Sequence, residues 1–153
     1  MEKVFNMNSP REAYQADAAV VWCYDHRFHT AFSKFLKRLG IVNSDIIKVA
    51  GGAKSLASPA EEGEREFILR QIQTSIRLHQ TSLVIIMLHS DCGAYGGLGR
   101  GFGGDAKREM RAQEAELRKA AEYLLENIPG IQVQAYFQDF EGVWQVDLVR
   151  NCV

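Results

Sequence analysis

Six consecutive apolar residues, Leu83 to Leu88, constrain this 153-residue chain more than any other stretch. No polar residue interrupts them, so they read as a strand buried on both faces, as in the middle of a parallel sheet. Such a strand needs helices over both faces and crossovers to reach its neighbours. Asp17 to Trp22 reads as a second, shorter strand of small and β-branched residues. A potential metal ligand follows each run at once. Cys23-Tyr24-Asp25-His26-Arg27 is the loop after the first, and His89-Ser90-Asp91-Cys92-Gly93 follows the other.

The rest of the chain supplies the layers that this sheet needs. Phe28, Phe32, Phe35, Leu36 and Leu39 recur at helical spacing opposite Lys34, Lys37 and Arg38, and that stripe reads as core. Gly40 suits a left-handed cap. Ile46 to Ala50 reads as another buried strand with Gly51-Gly52 as its turn, and Glu61 to His79 as a helix burying Ile68, Leu69, Ile72 and Ile76. Gly93 to Gly104 reads as a flexible loop near the strand end. Asp105 to Asn127 then forms a long charged helix with Met110, Leu117, Ala121 and Leu124 as its buried stripe. Glu114 and Arg118 pair across one turn of it, and Pro129-Gly130 stops it.

The tail changes character. Ile131, Val133, Ala135 and Phe137 alternate with polar residues, as in a strand with one wetter face. Val143 to Val149 reads as an antiparallel return at the edge. Met1 to Gln15 is an arm or short helix with no assigned chemistry. The expected architecture is α/β: an open, mostly parallel sheet of order 2-1-3-4 flanked by helices, with an antiparallel C-terminal edge strand. One domain is expected over residues 1–153.

Composition closes off other classes of function. Apolar residues make up 46% and charged residues 24%, with a net charge of −1 and no basic run. Nothing there favours nucleic acid or an anionic membrane. No apolar run nears the roughly 20 residues of a membrane span, and the polar N-terminus lacks a signal-peptide core. Three cysteines are too few for a disulfide framework, which points to metal or catalysis in the cytoplasm.

Two thiolates and one imidazole, from Cys23, His89 and Cys92, make three protein ligands. Three ligands leave a fourth tetrahedral position open, as at a catalytic zinc. In an open α/β sheet, ligands bind beyond the carboxyl ends of the strands, where neighbouring strands lead to helices on opposite faces. If the first and third strands are neighbours, the two half-sites meet there. Asp25 and Arg27 add a carboxylate kept ionised by a guanidinium, with Cys23, Asp25 and Arg27 able to project the same way. One zinc per chain is expected.

Cys23-x-Asp25-x-Arg27 with His89-x-x-Cys92 resembles the paired signature of the β-class carbonic anhydrases, and the similarity runs through nearly the whole chain. Ile47-Lys48-Val49-Ala50-Gly51-Gly52 resembles the family's second-strand segment, with Lys48-Val49 where Arg-Asn is usual. The chain is short, as in the compact branch, and Gln15 is an approximate counterpart of a glutamine found before the first strand. The resemblance implies zinc bound by Cys23, His89 and Cys92, and a catalytic dyad of Asp25 and Arg27. It implies hydration of carbon dioxide to bicarbonate by metal-bound hydroxide, and subunits that associate as a homodimer or higher homo-oligomer. Asp25 either pairs with Arg27 or becomes the fourth ligand.

Other readings stand beside these. Some relatives hydrolyse carbon disulfide or carbonyl sulfide, and a non-enzymatic zinc protein would keep the ligands alone; retention of Asp25 and Arg27 argues against the latter. Gly99, Gly101 and Gly104 spell a dinucleotide-like motif, but after the third strand and without the acidic partner that motif needs. His29 and His79 read as bystanders on helices, Cys152 as a bystander thiol near the terminus, and His26 as a candidate proton relay. Asp91 reads as a turn or supporting residue.

Overall fold

A computed structural model describes residues 1–148. The five strands are β1 (Ala18–Cys23), β2 (Ser44–Val49), β3 (Leu83–His89), β4 (Gln132–Gln138) and β5 (Val143–Val146). They form one sheet in the order β2-β1-β3-β4-β5. The first three pairings are parallel, and β5 returns antiparallel to β4. Order and direction match the sequence expectation. Cys23 and His89 are the last residues of their strands rather than the first of the following loops. The edge strand stops at Val146; Val149 and Cys152 lie outside the described residues.

Among the described residues five α-helices cover the sheet: α1 (His29–Arg38), α2 (Lys54–Ala57), α3 (Glu62–His79), α4 (Gly97–Phe102) and α5 (Ala106–Asn127). The strand pleat sorts side chains into two cores. Ala18, Val20, Trp22, Ile85 and Met87 pack with Phe28, Phe32 and Leu36 on one face. Ala19, Val21, Val84, Ile86 and Leu88 pack with Ile68, Ile72, Leu117 and Leu124 on the other. So β1 leads to α1 on the first face, while β3 leads to α5 on the second. The crevice between neighbouring strands whose connections diverge lies at the carboxyl ends of β1 and β3.

Three expectations need correction. Gly93–Gly104 is not an open loop: Gly93–Tyr95 is a 3-10 turn and Gly97–Phe102 is helical. The reason is tertiary, because the Asp91 carboxylate accepts the Leu98 N–H at 2.8 Å, and a Cβ at Gly101 would collide with the Tyr95 carbonyl. Met110 is only half-buried; the buried stripe of α5 begins instead with Glu109 and Gln113. Of the two readings of residues 1–15 the arm is the one seen, without regular structure and with Val4, Phe5 and Met7 exposed. Leu39, expected on the buried stripe of α1, is exposed as well.

At the opposite, amino end of the sheet, Asp45 of β2 collects three donors. Tyr14 Oη–H donates at 2.7 Å, Ser75 Oγ–H at 2.6 Å and His79 Nδ1 lies at 2.7 Å. The Tyr14 ring packs on His79 at 4.1 Å, so this cluster ties the arm to α3 and the outer strand. Partial burial raises the Asp45 pKa, but the hydrogen bonds from Ser75, Tyr14 and His79 outweigh it and lower the pKa overall. A depressed carboxylate contributes stability above its unfolded pKa of about 4 and loses it as pH falls. Asp45→Asn should therefore destabilise the fold by about 1–3 kcal/mol at neutral pH, with the deficit shrinking below about pH 4. Denaturant melts of both proteins against pH check this; equal midpoints at neutral pH would contradict it.

Candidate metal centre and its carboxylate clamp

The last residue of β1, the last residue of β3 and the loop after β3 bring Cys23, His89 and Cys92 together. Their ligand-capable atoms all lie within 4.8 Å of one another. All three are buried, at 5%, 1% and 2% exposure. His89 Nδ1 is 2.8 Å from the Ser90 carbonyl, so the nitrogen carries its proton there and donates it. That fixes the tautomer and leaves the Nε2 lone pair free. His89 Nε2 is buried and has no hydrogen-bond partner among the described residues. An orphaned imidazole lone pair facing two thiols is a donor set that suits a soft divalent cation such as zinc.

The protonation of the pair gives the same answer. Cys92 donates to Cys23, which holds the Cys23 thiol far below its ordinary range and pushes Cys92 well above its own. Burial opposes ionisation of both. The backbone N–H groups of Asp25 and Gly51 add donors to Cys23. Two adjacent buried thiols cannot both ionise without a cation between them, so metal binding there must release protons. Gly52, at φ +55°, backs the cluster: a Cβ there would stand 2.7 Å from the Met87 carbonyl and 2.9 Å from the Cys23 nitrogen.

Beneath the loop, α5 supplies a polar floor that the sequence reading missed. The Glu109 carboxyl accepts the Ser90 hydroxyl and, at 2.7 Å, the Asp91 N–H. Gln113 Nε2 donates to the His89 carbonyl at 3.2 Å, and Ser90 N–H donates to the Gln138 carbonyl at 2.8 Å. Asp91 adopts φ +55°, and these bonds hold it there. Glu109 and Gln113 lie at the same helical repeat as Leu117 and Ala121, so extending that stripe toward the N-terminus would have found them.

Asp25 and Arg27 stand over this cluster. Arg27 donates to Asp25 through its backbone N–H at 3.0 Å, Nε at 3.1 Å and Nη2 at 2.7 Å. Its hydrogen bonds hold the Asp25 carboxyl at a pKa of about 2. Arg27 is held from a second side as well: Nη1 donates to Asp91 Oδ2 at 2.8 Å and Nη2 to the Asp91 carbonyl at 3.1 Å. The supporting role expected of Asp91 is thus a clamp on Arg27. A cavity of about 630 Å3 opens beside Asp25, Arg27 and Arg100. A second, of about 600 Å3, is lined by Val49, Phe67 and Ala94 together with the charged Lys54, Glu61 and Glu64.

The other residues singled out in the sequence fall elsewhere. Gln15 is exposed before β1, at the end of the sheet opposite Cys23, so it does not reach the cluster of its own chain. His26 and His29 are exposed and stack at 5.8 Å, with Lys48 Nζ 3.4 Å from His29 Nδ1. His79 belongs to the Asp45 cluster.

Comparison with known proteins bears on the family and the fold. An uncharacterized protein of Rickettsia conorii is 26% identical over 131 residues, covering 84% of this chain and 70% of that protein. The fold is similar to that of a carbonic anhydrase from Streptococcus mutans, with a TM-score of 0.59, 21% identity and coverage of 93% of this chain and 88% of that one. It is also similar to β-carbonic anhydrase isoform I of Trichomonas vaginalis, with a TM-score of 0.60, 18% identity and coverage of 92% and 87%. The family model described as "putative carbonic anhydrase" matches residues 14–150, and the chain belongs to that family.

Proposed function

We propose that this protein is a cytoplasmic zinc lyase that interconverts carbon dioxide and bicarbonate, with Cys23, His89 and Cys92 holding one zinc per chain. The observation that carries this reading is the buried Cys23–His89–Cys92 cluster lying beside the ionised Asp25–Arg27 pair. A zinc ion held there would act as a Lewis acid that brings the pKa of bound water toward neutrality.

The chain's own residues do the rest. Three donor groups of Arg27 make four contacts with the Asp25 carboxylate, two on each oxygen, because Nε–H is shared between them. A carboxylate oxygen sharing that bifurcated donor accepts a hydrogen bond from the attacking water and aligns its lone pair with carbon dioxide. Because Arg27 keeps Asp25 ionised, the acceptor is present at any pH at which the reaction runs. His26, exposed three residues beyond Cys23, is placed to pass protons to solvent. Free buried thiols suit a reducing compartment, and no helix among the described residues is long and apolar enough to cross a membrane.

We also propose a homodimer or a multiple of it. Val42, Ile46 and Leu78 are exposed along the unpaired edge strand β2 and its neighbour α3, and bare edges invite pairing. Sedimentation should show no monomer at micromolar concentration; a stable, active monomer would contradict it.

One set of variants tests the site. Metal analysis and turnover against pH should be measured together for Cys92→Ser, Asp25→Asn and Arg27→Ala. Cys92→Ser should lose zinc affinity by more than the roughly 10–100-fold that loss of a supporting hydrogen bond costs. Asp25→Asn and Arg27→Ala should keep stoichiometric zinc and lose about 100-fold or more in turnover. Zinc retained unchanged in the serine variant would remove the ligand assignment. Wild-type rates in both dyad variants would remove the mechanism.

A further inference from the structure

The tip of the β4–β5 hairpin carries a phenylalanine that solubility alone would not keep there. Phe140 is 63% exposed, yet its ring lies 5.0 Å from that of Phe28. Phe28 in turn packs on His89 at 4.7 Å. The guanidinium of Arg27 sits against both rings, 5.5 Å from the centre of Phe140 and 5.7 Å from that of Phe28. Arg27, though its side chain stays about half exposed, therefore has two carboxylates around its donor edge and two aromatic rings against it.

The turn that projects Phe140 is built rather than slack. Asp139 Oδ1 accepts the N–H groups of Glu141 and Gly142 at 2.8 and 2.7 Å. Asp139 Oδ2 accepts the Trp144 indole N–H at 2.8 Å, and Asp139 N–H closes the hairpin on the Gly142 carbonyl at 3.0 Å. Both oxygens of one carboxylate are spent on holding this tip. The residue between Asp139 and Glu141 is thereby fixed over Arg27.

We propose that Phe140 is a positioning residue for the reaction, holding the Arg27 guanidinium in the plane from which it grips Asp25. The inference rests on the dyad reading above and extends it to a residue more than a hundred positions away in sequence. Asp91 fixes Arg27 laterally and Phe140 fixes it from above its ring-stacking face. Loss of the ring leaves every hydrogen-bonding group in place and frees the guanidinium to tilt. Asp25 then spends part of its time without its full set of donors, and the attacking water is less often aligned.

The test compares Phe140→Leu, which keeps apolar bulk, with Phe140→Trp, which keeps an aromatic face. Hydrogen exchange of the Arg27 Nε–H is followed in nitrogen-resolved NMR spectra of the full chain, with the signal identified by its loss in Arg27→Lys. Phe140→Leu should speed that exchange and lower kcat/KM of the zinc-loaded enzyme, each by roughly three- to fivefold, as a cation–π contact at an exposed site allows. Phe140→Trp should restore both. Unchanged Nε–H exchange in Phe140→Leu overturns the proposal. So does an activity loss that comes with altered sedimentation and unchanged exchange, which would make Phe140 a contact with a second copy. If wild-type zinc-loaded protein does not hydrate carbon dioxide, the proposed function fails while the exchange measurement still decides whether Phe140 holds Arg27.

Discussion

Two thiols and an imidazole, sealed from water and within 4.8 Å of one another, set the terms for the rest of this structure. Buried polar groups need partners, and a buried thiolate pair needs a positive charge. The imidazole has one nitrogen committed to a backbone carbonyl and the other to no partner among the described residues. Such a cluster could hold a metal ion. Its position follows from the sheet. Cys23 and His89 end neighbouring parallel strands whose connections leave toward opposite faces, so the space between them is bounded by loops rather than filled by a helix.

What surrounds the cluster keeps its members from relaxing. Glu109 and Gln113 reach up from α5 to the backbone of the His89–Asp91 turn, and Gly52 lets the β2 turn press against the Cys23 backbone. Asp91 couples the two ligand loops, because its carboxylate receives Arg27 from the first and Leu98 from the helix after the second. A shift in either loop would therefore move the guanidinium that holds Asp25. Precise catalytic geometry rests on supports of this kind.

Much of this was legible in the sequence because it depends on local signals. Unbroken apolar runs identified the central strands, and the candidate ligands Cys23 and His89 sat directly at their ends. The order 2-1-3-4 and the ligand pattern supported each other, because that order makes the first and third strands neighbours. What escaped depends on contacts between distant segments. Five glycines among residues 93–101 argued against a helix at α4, but Asp91 caps its first turn and close packing on Tyr95 requires Gly101. Glu109 and Gln113 were not in the buried stripe read for that helix, since polar residues are seldom buried unless paired, and their partners lie about twenty residues upstream. Gln15 was matched by its place before the first strand. The strand length itself separates it from the site, since six residues at about 3.3 Å each carry the chain to the far edge of the sheet.

The central claim is that this site, with its metal, hydrates carbon dioxide. Stopped-flow hydration by the purified protein, before and after chelation and after stoichiometric zinc is returned, addresses it most directly. The account predicts saturable turnover that rises with pH through the neutral range, disappears on chelation and returns with one zinc per chain. Tight binding of one zinc without any hydration above the buffer rate would contradict it.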